Sequence, residues 1–339
     1  MKAPWAKRPS LNEIDSLLRE QLAPHFTELE KDRQTAIHWL LIAVILGGAA
    51  LTLFLYLASR NPFWMENTEI FLGATFGLEG LLFVGFTKAK RRFALAFKEK
   101  VMRKVAGHFF PGLAYSPEAC VAKGFYDESG LFRTELDTYT GNDFFRGKLG
   151  EVDFQFSELL CQYETGSGKN RQRLTAFRGF FFVGDFHREI YFRTLIRPDT
   201  AERLLGVMGR GLQRMGNGSK LVDLEDPEFE KLFVVTSDDQ VEARYILTPV
   251  FMEKLREFRR RVGNDIHLSF VNGRMMLAIE TQHDYFEPNL FGEILSRKDL
   301  MKFIDMLILL MGVAEEFLHH PKFGAKPPKM PPLPVIKRS

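Results

Sequence analysis

Ser157 and Cys161 are the candidate nucleophiles of this chain, yet neither lies in a GxSxG elbow or beside a histidine in sequence. Cys161 is therefore expected to pack. The histidines are scattered: His187 in Asp185-Phe186-His187, His267 on a strand, and His283 in His283-Asp284. Without an HExxH or any paired ligand spacing they are expected to be structural or exposed, and no metal site or cofactor is assigned. Thr165-Gly166-Ser167-Gly168-Lys169 looks like a phosphate loop, but Asn170 follows the lysine and the GxxxxGK[ST] spacing is missing. It is expected to be a hairpin loop. Gly206, Gly209 and Gly211 fall inside a predicted helix, where a dinucleotide fingerprint has no use for them.

Charge offers more. Arg193, Arg197, Arg210 and Arg214 are the candidate ligand-binding residues, because gathered guanidinium groups take a phosphate or a lipid headgroup. Charged helix and strand faces carry such arginines without any ligand as well. Between Val222 and Ala243 eight acids (Asp223, Glu225, Asp226, Glu228, Glu230, Asp238, Asp239, Glu242) accompany one Lys231. The spacing is not that of an EF-hand, so a solvated face is expected there rather than a cation. An enzyme would have to gather Asp185, His187 and Glu158 with the arginines around Arg197, and no catalytic residue is assigned from sequence.

The elements that must position these residues begin with composition. The 339 residues are 45% hydrophobic and 26% charged, with net charge +3, which excludes a disordered chain, a collagen repeat and a disulfide-stapled miniprotein. A near-neutral balance supplies no general attraction for nucleic acid. Two cysteines, Cys120 and Cys161, are too few for a disulfide framework and fit a reducing compartment. Phe accounts for 33 residues against 8 Tyr and 3 Trp. It has no polar handle and needs a core, a lipid phase or an apolar cavity.

Trp39 to Leu57 is 19 residues without a formal charge, enough to cross a hydrocarbon core of about 30 Å as a helix. Ile70 to Phe86 is 17 residues and carries one acid, Glu79. The polar segment ahead of the first stretch and the second stretch after it argue against a cleaved signal peptide. Arg60 is the one basic residue of the link, whereas Lys88, Lys90, Arg91, Arg92, Lys98, Lys100, Arg103 and Lys104 follow the second stretch. The positive-inside rule then places both termini in the cytoplasm. Gly73 and Gly77, with Gly80 one turn on, form a small-xxx-small face. Packing of the two spans is its expected use, and a homo-oligomer contact the alternative. Glu79 is the candidate polar site within the membrane, expected to be neutral and hydrogen-bonded against a partner helix, with Thr52 in reach, rather than part of an ion path.

Residues 1–37 hold an amphipathic helix with a capping box, Ser10-Leu11-Asn12-Glu13, and an apolar stripe of Leu11, Ile14, Leu18 and Leu22. The hairpin covers 38–86. Residues 87–110 read as a basic juxtamembrane helix with Phe93, Phe97, Val101 and Val105 at spacings of four, suited to anionic headgroups. Residues 111–320 form the main domain, in one piece or as blocks 111–218 and 219–320. Predicted strands cover 150–163, 174–186, 191–197, 220–222, 232–236, 266–271 and 274–280, with the Asn272-Gly273 turn between the last two. Helices are expected from Pro198 to Arg214, from Thr248-Pro249 to Gly263 and from Lys298 to Leu318. A strand before each of Pro198 and Pro249 hints at a duplication. The fold class is α+β: a transmembrane hairpin, then largely antiparallel strands with packed helices. Residues 321–339 are a basic, proline-rich tail with PxxP spacing, expected to be a disordered tail and otherwise a polyproline-II ligand.

Several runs resemble a known family. They are Asp137-x-Tyr-x-Gly-x-Asp143, Phe156-Ser157-Glu158-Leu159, Phe177-Arg178-Gly179-x-Phe-Phe, Leu224 to Glu230, Ser237 to Pro249 and His267 to Val271. Together they resemble the bacterial family known as domain of unknown function 3137, whose members commonly carry two N-terminal membrane spans. The resemblance implies a bacterial inner-membrane protein and supplies no catalytic residues. The expectation drawn from all of this is a membrane-anchored protein whose cytoplasmic α+β domain is an interaction or ligand-binding module in a membrane-associated assembly. Its partners would be the phospholipid bilayer and a membrane or cytoplasmic protein. The alternative is a membrane-bound enzyme acting on a lipid or phosphorylated substrate.

Overall fold

The computed structural model describes residues 9–149, 152–185, 190–199 and 220–318. Arg210, Arg214, His187, the helix expected after Pro198 and the tail lie outside them. Contacts gather the chain into a helical unit, Lys7–Glu118 with Asp284–Ile308, and a sheet unit, Ala119–His283 with the chain from Leu309.

In the helical unit, helix α1 runs from Leu11 to Arg60. Ser10 caps it: its hydroxyl accepts from Glu13 N at 3.3 Å while Glu13 Oε2 accepts from Ser10 N at 2.7 Å, the expected capping box. Pro24 has no N–H to donate, and the helix widens into a π-turn over Leu17–Leu22 just before it. After a single helical turn α2, Pro62–Glu66, capped by Asn61, helix α3 returns from Thr68 to Phe109. α1 and α3 are both long and apolar enough to cross a membrane; none of the apolar window of the first is buried, and 6% of that of the second.

Beyond those windows the two helices pack. Ile14, Leu17, Leu22 and Leu29 of α1 are buried in the same unit as Phe93, Phe97, Val101 and Val105 of α3, so the four-residue spacing marks a core face. Leu11, expected in the apolar stripe, is exposed, and Leu17 is buried. A short strand β1, Ala114–Ser116, follows α3. Phe286, Leu300, Phe303, Ile304 and Leu307 complete the core, the last four from helix α8, Arg297–Leu318.

The sheet unit holds helix α4, Lys123–Ser129, and strands β2 (Thr138–Leu149), β3 (Val152–Thr165), β4 (Gln172–Asp185), β5 (Thr194–Pro198), β6 (Lys220–Leu221), β7 (Phe233–Ser237), β8 (Ile266–Val271) and β9 (Arg274–Glu280). They run in the order β2-β3-β4-β9-β8-β5-β7-β6 with every pairing antiparallel. Three short or medium helices punctuate the later strands: α5 (Pro227–Glu230), α6 (Gln240–Ile246) and α7 (Pro249–Val262). Mixed helix and antiparallel sheet is thus the fold class. The Asn272-Gly273 turn has φ of 49° and 74°, the left-handed pair a type I′ hairpin needs. Thr248 and Gly263 cap α7 at its two ends as expected. The duplication fails, because α6 and not a strand precedes Thr248-Pro249.

Phenylalanine fills both faces of the sheet. Phe177 and Phe181 join Tyr126, Leu159, Cys161, Leu195 and Met276 under α4. Phe180 and Phe182 alternate to the other face, where Phe182 stacks with Phe154 and Phe156 at ring separations of 5.9 and 6.2 Å. The core, then, consumes much of the phenylalanine.

Candidate functional site

Glu79 stands in α3 against α1, where a Cβ built on Gly47 would lie 2.7 Å from its Oε1. That oxygen is buried with no hydrogen-bond partner among the described residues, a correction to the hydrogen-bonded carboxyl expected. The reason is local. Gly47 offers only backbone groups that the helix already uses, and Thr52 turns its hydroxyl back onto Gly48 O and Ala49 O at 3.0 and 2.9 Å. Helix contact is made through other glycines than expected. Gly85 receives the Trp39 ring, while a Cβ on Gly73, Gly77 or Gly80 meets nothing within 4 Å. Packing of the two spans therefore does not use the Gly73/Gly77 face.

The basic residues that follow the second apolar stretch are largely engaged. Arg91 pairs with Glu118 at 2.6 Å, Arg92 with Asp32 at 3.1 Å, Lys98 with Glu287, Lys100 with Glu28 at 2.5 Å and Arg103 with Glu99 at 2.7 Å. Lys88 and Lys90, next to the apolar stretch, have no ion pair among the described residues.

Of the four arginines of the expected patch, Arg210 and Arg214 lie outside the described residues, and Arg193 and Arg197 bind backbone carbonyls. Arg197, buried on β5, donates from Nε and Nη2 to Leu131 O and Gly130 O at 3.3 and 2.9 Å. Arg193 reaches Glu128 O at 3.5 Å, and its Nε is buried without a partner. Both cations thus sit on the carbonyl end of α4, where the helix dipole and the last C=O groups favour them. Ser269 Oγ adds a bond to Ser129 O at 2.7 Å.

Arg274, which no sequence pattern singled out, fastens the same helix. Its Nη1 meets both oxygens of Glu128 at 3.1 Å, its Nε meets Asp185 at 3.2 Å, and the guanidinium lies over the Phe125 ring. Phe125, Arg146, Asp153, Phe154, Asp185 and Arg274 line a cleft of about 260 Å³. Asp185 pairs in register with Asp153, and Glu158 lies five residues further along β3, about 16 Å away at strand spacing. The described carboxylates of the enzyme constellation do not converge.

The nucleophile candidates are equally occupied. Ser157 is buried and accepts from Val121 N at 3.0 Å. Burial pushes the Cys161 thiol up to about 12, far from a reactive thiolate. His267 is buried on Glu280 at 2.9 Å. Among the described residues no group of three His, Cys, Asp or Glu gathers for a metal. The Thr165–Lys169 run is the hairpin loop between β3 and β4. The acidic stretch is only partly a solvated face. Asp226 and Asp239 cap α5 and α6, Glu230 accepts from Leu224 N at 2.9 Å, and Glu242 accepts from Tyr191 N and Phe192 N at 3.3 and 3.2 Å. A second, larger cleft of about 720 Å³ opens where Arg256, Arg259 and Arg260 of α7 face Asp265, Glu280 and Thr281. Arg259 is spoken for by Asp265 at 2.8 Å and Leu232 O at 3.1 Å.

Residues 175–318 match the family model described as Protein of unknown function (DUF3137). Over those residues the chain is similar to the DUF3137 family. The matched region holds Arg193, Arg197, Arg274 and all of α7, while the Asp137 to Leu159 runs lie ahead of it. No curated protein matches this chain. The crystal structure of the mycobacterial trehalose monomycolate transport factor A, TtfA, aligns at 10% identity and a TM-score of 0.28, over 62% of this chain and 94% of that one.

Proposed function

We propose that this protein is anchored in the bacterial inner membrane by α1 and α3, with its α+β domain on the cytoplasmic side as an interaction module in a membrane-associated assembly. The observation that carries the reading is the contrast along these two helices. Their apolar windows are left almost wholly unburied, while their other ends are packed into a core. A helix apolar all round and unburied by protein needs lipid around it. Lys88 and Lys90 follow the apolar stretch of α3, where anionic headgroups favour them by about 1 kcal/mol each. The phospholipid bilayer is one partner on this reading and a membrane or cytoplasmic protein the other.

The test is fractionation of native cells followed by purification in mild detergent with mass spectrometry of what accompanies the chain. The protein is expected in the membrane pellet after a high-salt and carbonate wash, with a stoichiometric protein partner. Recovery in the soluble fraction would sink the anchor. A clean preparation carrying a lipid or a phosphorylated metabolite would replace the protein-partner reading with ligand binding or catalysis.

A further inference from the structure

Within the helical unit the segment 284–297 runs along α1 and α3, and its contacts can be placed on the helix axes at about 1.5 Å per residue. The Trp39 ring covers Gly85, and a tryptophan at the end of an apolar stretch marks the edge of a hydrocarbon core. Lys98, which pairs with Glu287, lies about 20 Å along α3 from Gly85. Arg33, which donates from Nη1 to Leu290 O and Gly292 O at 3.1 and 3.0 Å, lies about 9 Å along α1 from Trp39. Asp15, which pairs with Arg297 at 2.6 Å, lies about 36 Å from it. The segment therefore climbs toward the apolar windows, turns at 290–292 and descends again. Phe291 is its apex.

The apex is built rather than loose. Glu30 fixes Arg33 through Nε and Nη2 at 2.9 and 2.7 Å, so one oriented guanidinium holds the carbonyls on either side of Phe291. Asn289 Oδ1 accepts from Phe291 N at 3.0 Å, which closes the turn from the other side. Phe286 and Leu290 are buried, whereas Phe291 is 71% exposed. A single exposed apolar side chain is ordinary. This one differs because the backbone around it is pinned with the ring outside, at the point where the segment comes nearest to the apolar windows.

The headgroup layer of a bilayer adds about 5–7 Å beyond each face of the hydrocarbon core. A loop tip held about 9 Å from Trp39 stands at the outer edge of that layer, and its side chain has only to extend into it. Lys88 and Lys90 stand about 4 and 8 Å beyond Gly85, at the same depth, and have no ion pair among the described residues. An aromatic ring at that depth with cations beside it is what an interfacial contact requires: the ring enters the boundary between headgroups and acyl chains, and the cations meet phosphates. We infer that the loop 289–292 is a third contact of this chain with the phospholipid bilayer, made by the Phe291 ring in the headgroup layer beside Trp39. The inference rests on the anchor reading and adds to it a lipid contact outside the two spans.

The test reads tryptophan fluorescence of the full chain in nanodiscs of phosphatidylcholine and phosphatidylglycerol, with and without lipids brominated high on the acyl chain, which quench tryptophan on contact. The native tryptophans, Trp5, Trp39 and Trp64, supply the wild-type signal. Phe291→Trp adds one ring at the loop tip, and Leu11→Trp adds one at an exposed position about 42 Å along α1 from Trp39. Bromolipid is expected to quench the emission added by Phe291→Trp at least twofold and to leave that added by Leu11→Trp unchanged. Both positions are exposed, so unchanged circular dichroism melts are expected to show intact folding. Wild-type emission that bromolipid leaves untouched would sink the anchor reading, and the inference with it. Quenched wild-type emission with no quenching of the Phe291→Trp increment, or with equal quenching of both increments, would overturn the inference alone.

Discussion

Gly179 sits in β4 at φ +148°, opposite Glu280 of β9, and a Cβ there would fall on the Ile279 carbonyl oxygen and lie 2.9 Å from Thr281 N. Neither neighbour is a flexible side-chain end; both are backbone of the paired strand. Gly179→Ala is therefore expected to destabilise the sheet unit by about 2 kcal/mol or more, read as a shift in the urea midpoint with unchanged slope. A wild-type midpoint in the variant would show that β4 and β9 separate more easily than their pairing implies. The same scale shows what residue types alone leave open. Arg193 and Arg197 are basic on a strand flank, which fits a ligand patch as well as it fits a clamp. The carbonyls that Arg197 meets, Gly130 O and Leu131 O, come from more than sixty positions earlier, where no local pattern points to them. Glu79 is the reverse case. Its isolation in an apolar stretch was legible, and what it faces, the bare backbone of Gly47, depends on helix register.

Elements announced by local chemistry stand where their residues place them. Ser10 with Glu13, Thr248-Pro249 and Asn272-Gly273 each satisfy a backbone requirement within four residues, so no distant contact is needed to set them. β2 has no such signature. Gly141, Asn142, Asp143 and Gly147 break its alternation, and a bulge between Asn142 and Phe145, with Asp143 at φ +54°, shifts its register. α4 is seven residues long and contains Gly124 and Asp127, too short for a periodic stripe, and is held from outside by the arginines. The start of α8 offers a test of local chemistry at this scale. Ser296 Oγ accepts from Asp299 N at 3.1 Å and donates to Asp299 Oδ2 at 2.6 Å. That hydroxyl, then Lys302, holds the Asp299 carboxyl below its ordinary value. A carboxyl lowered on folding adds stability above its unfolded pKa and loses it as pH falls through the folded one. Ser296→Ala is expected to cost about 1 kcal/mol at neutral pH, with the difference from wild type shrinking as pH drops below about 4. Parallel stability curves across that range would remove the carboxylate from the account.

At the scale of the whole molecule, orientation follows from where the charge lies relative to the two apolar helices. Arg60 is the one basic residue of the connection, with Glu66 and Glu69 beside it, whereas eight Lys and Arg follow between Thr87 and Lys104. Pairing with acids within the helical unit does not undo this bias, because the rule counts Lys and Arg near the span ends and acids contribute little to it. The short connection through α2 should then face away from the cytoplasm, and Cys120 should lie inside. Asn67→Cys, in a residue that closes α2, provides the probe. A membrane-impermeant maleimide applied to intact cells is expected to label the variant and leave the wild type unlabelled. After lysis half-exposed Cys120 should become reactive in both, and buried Cys161 should stay silent until the chain is unfolded. Labelling of Cys120 in intact cells would invert the topology and put the sheet unit on the outer face.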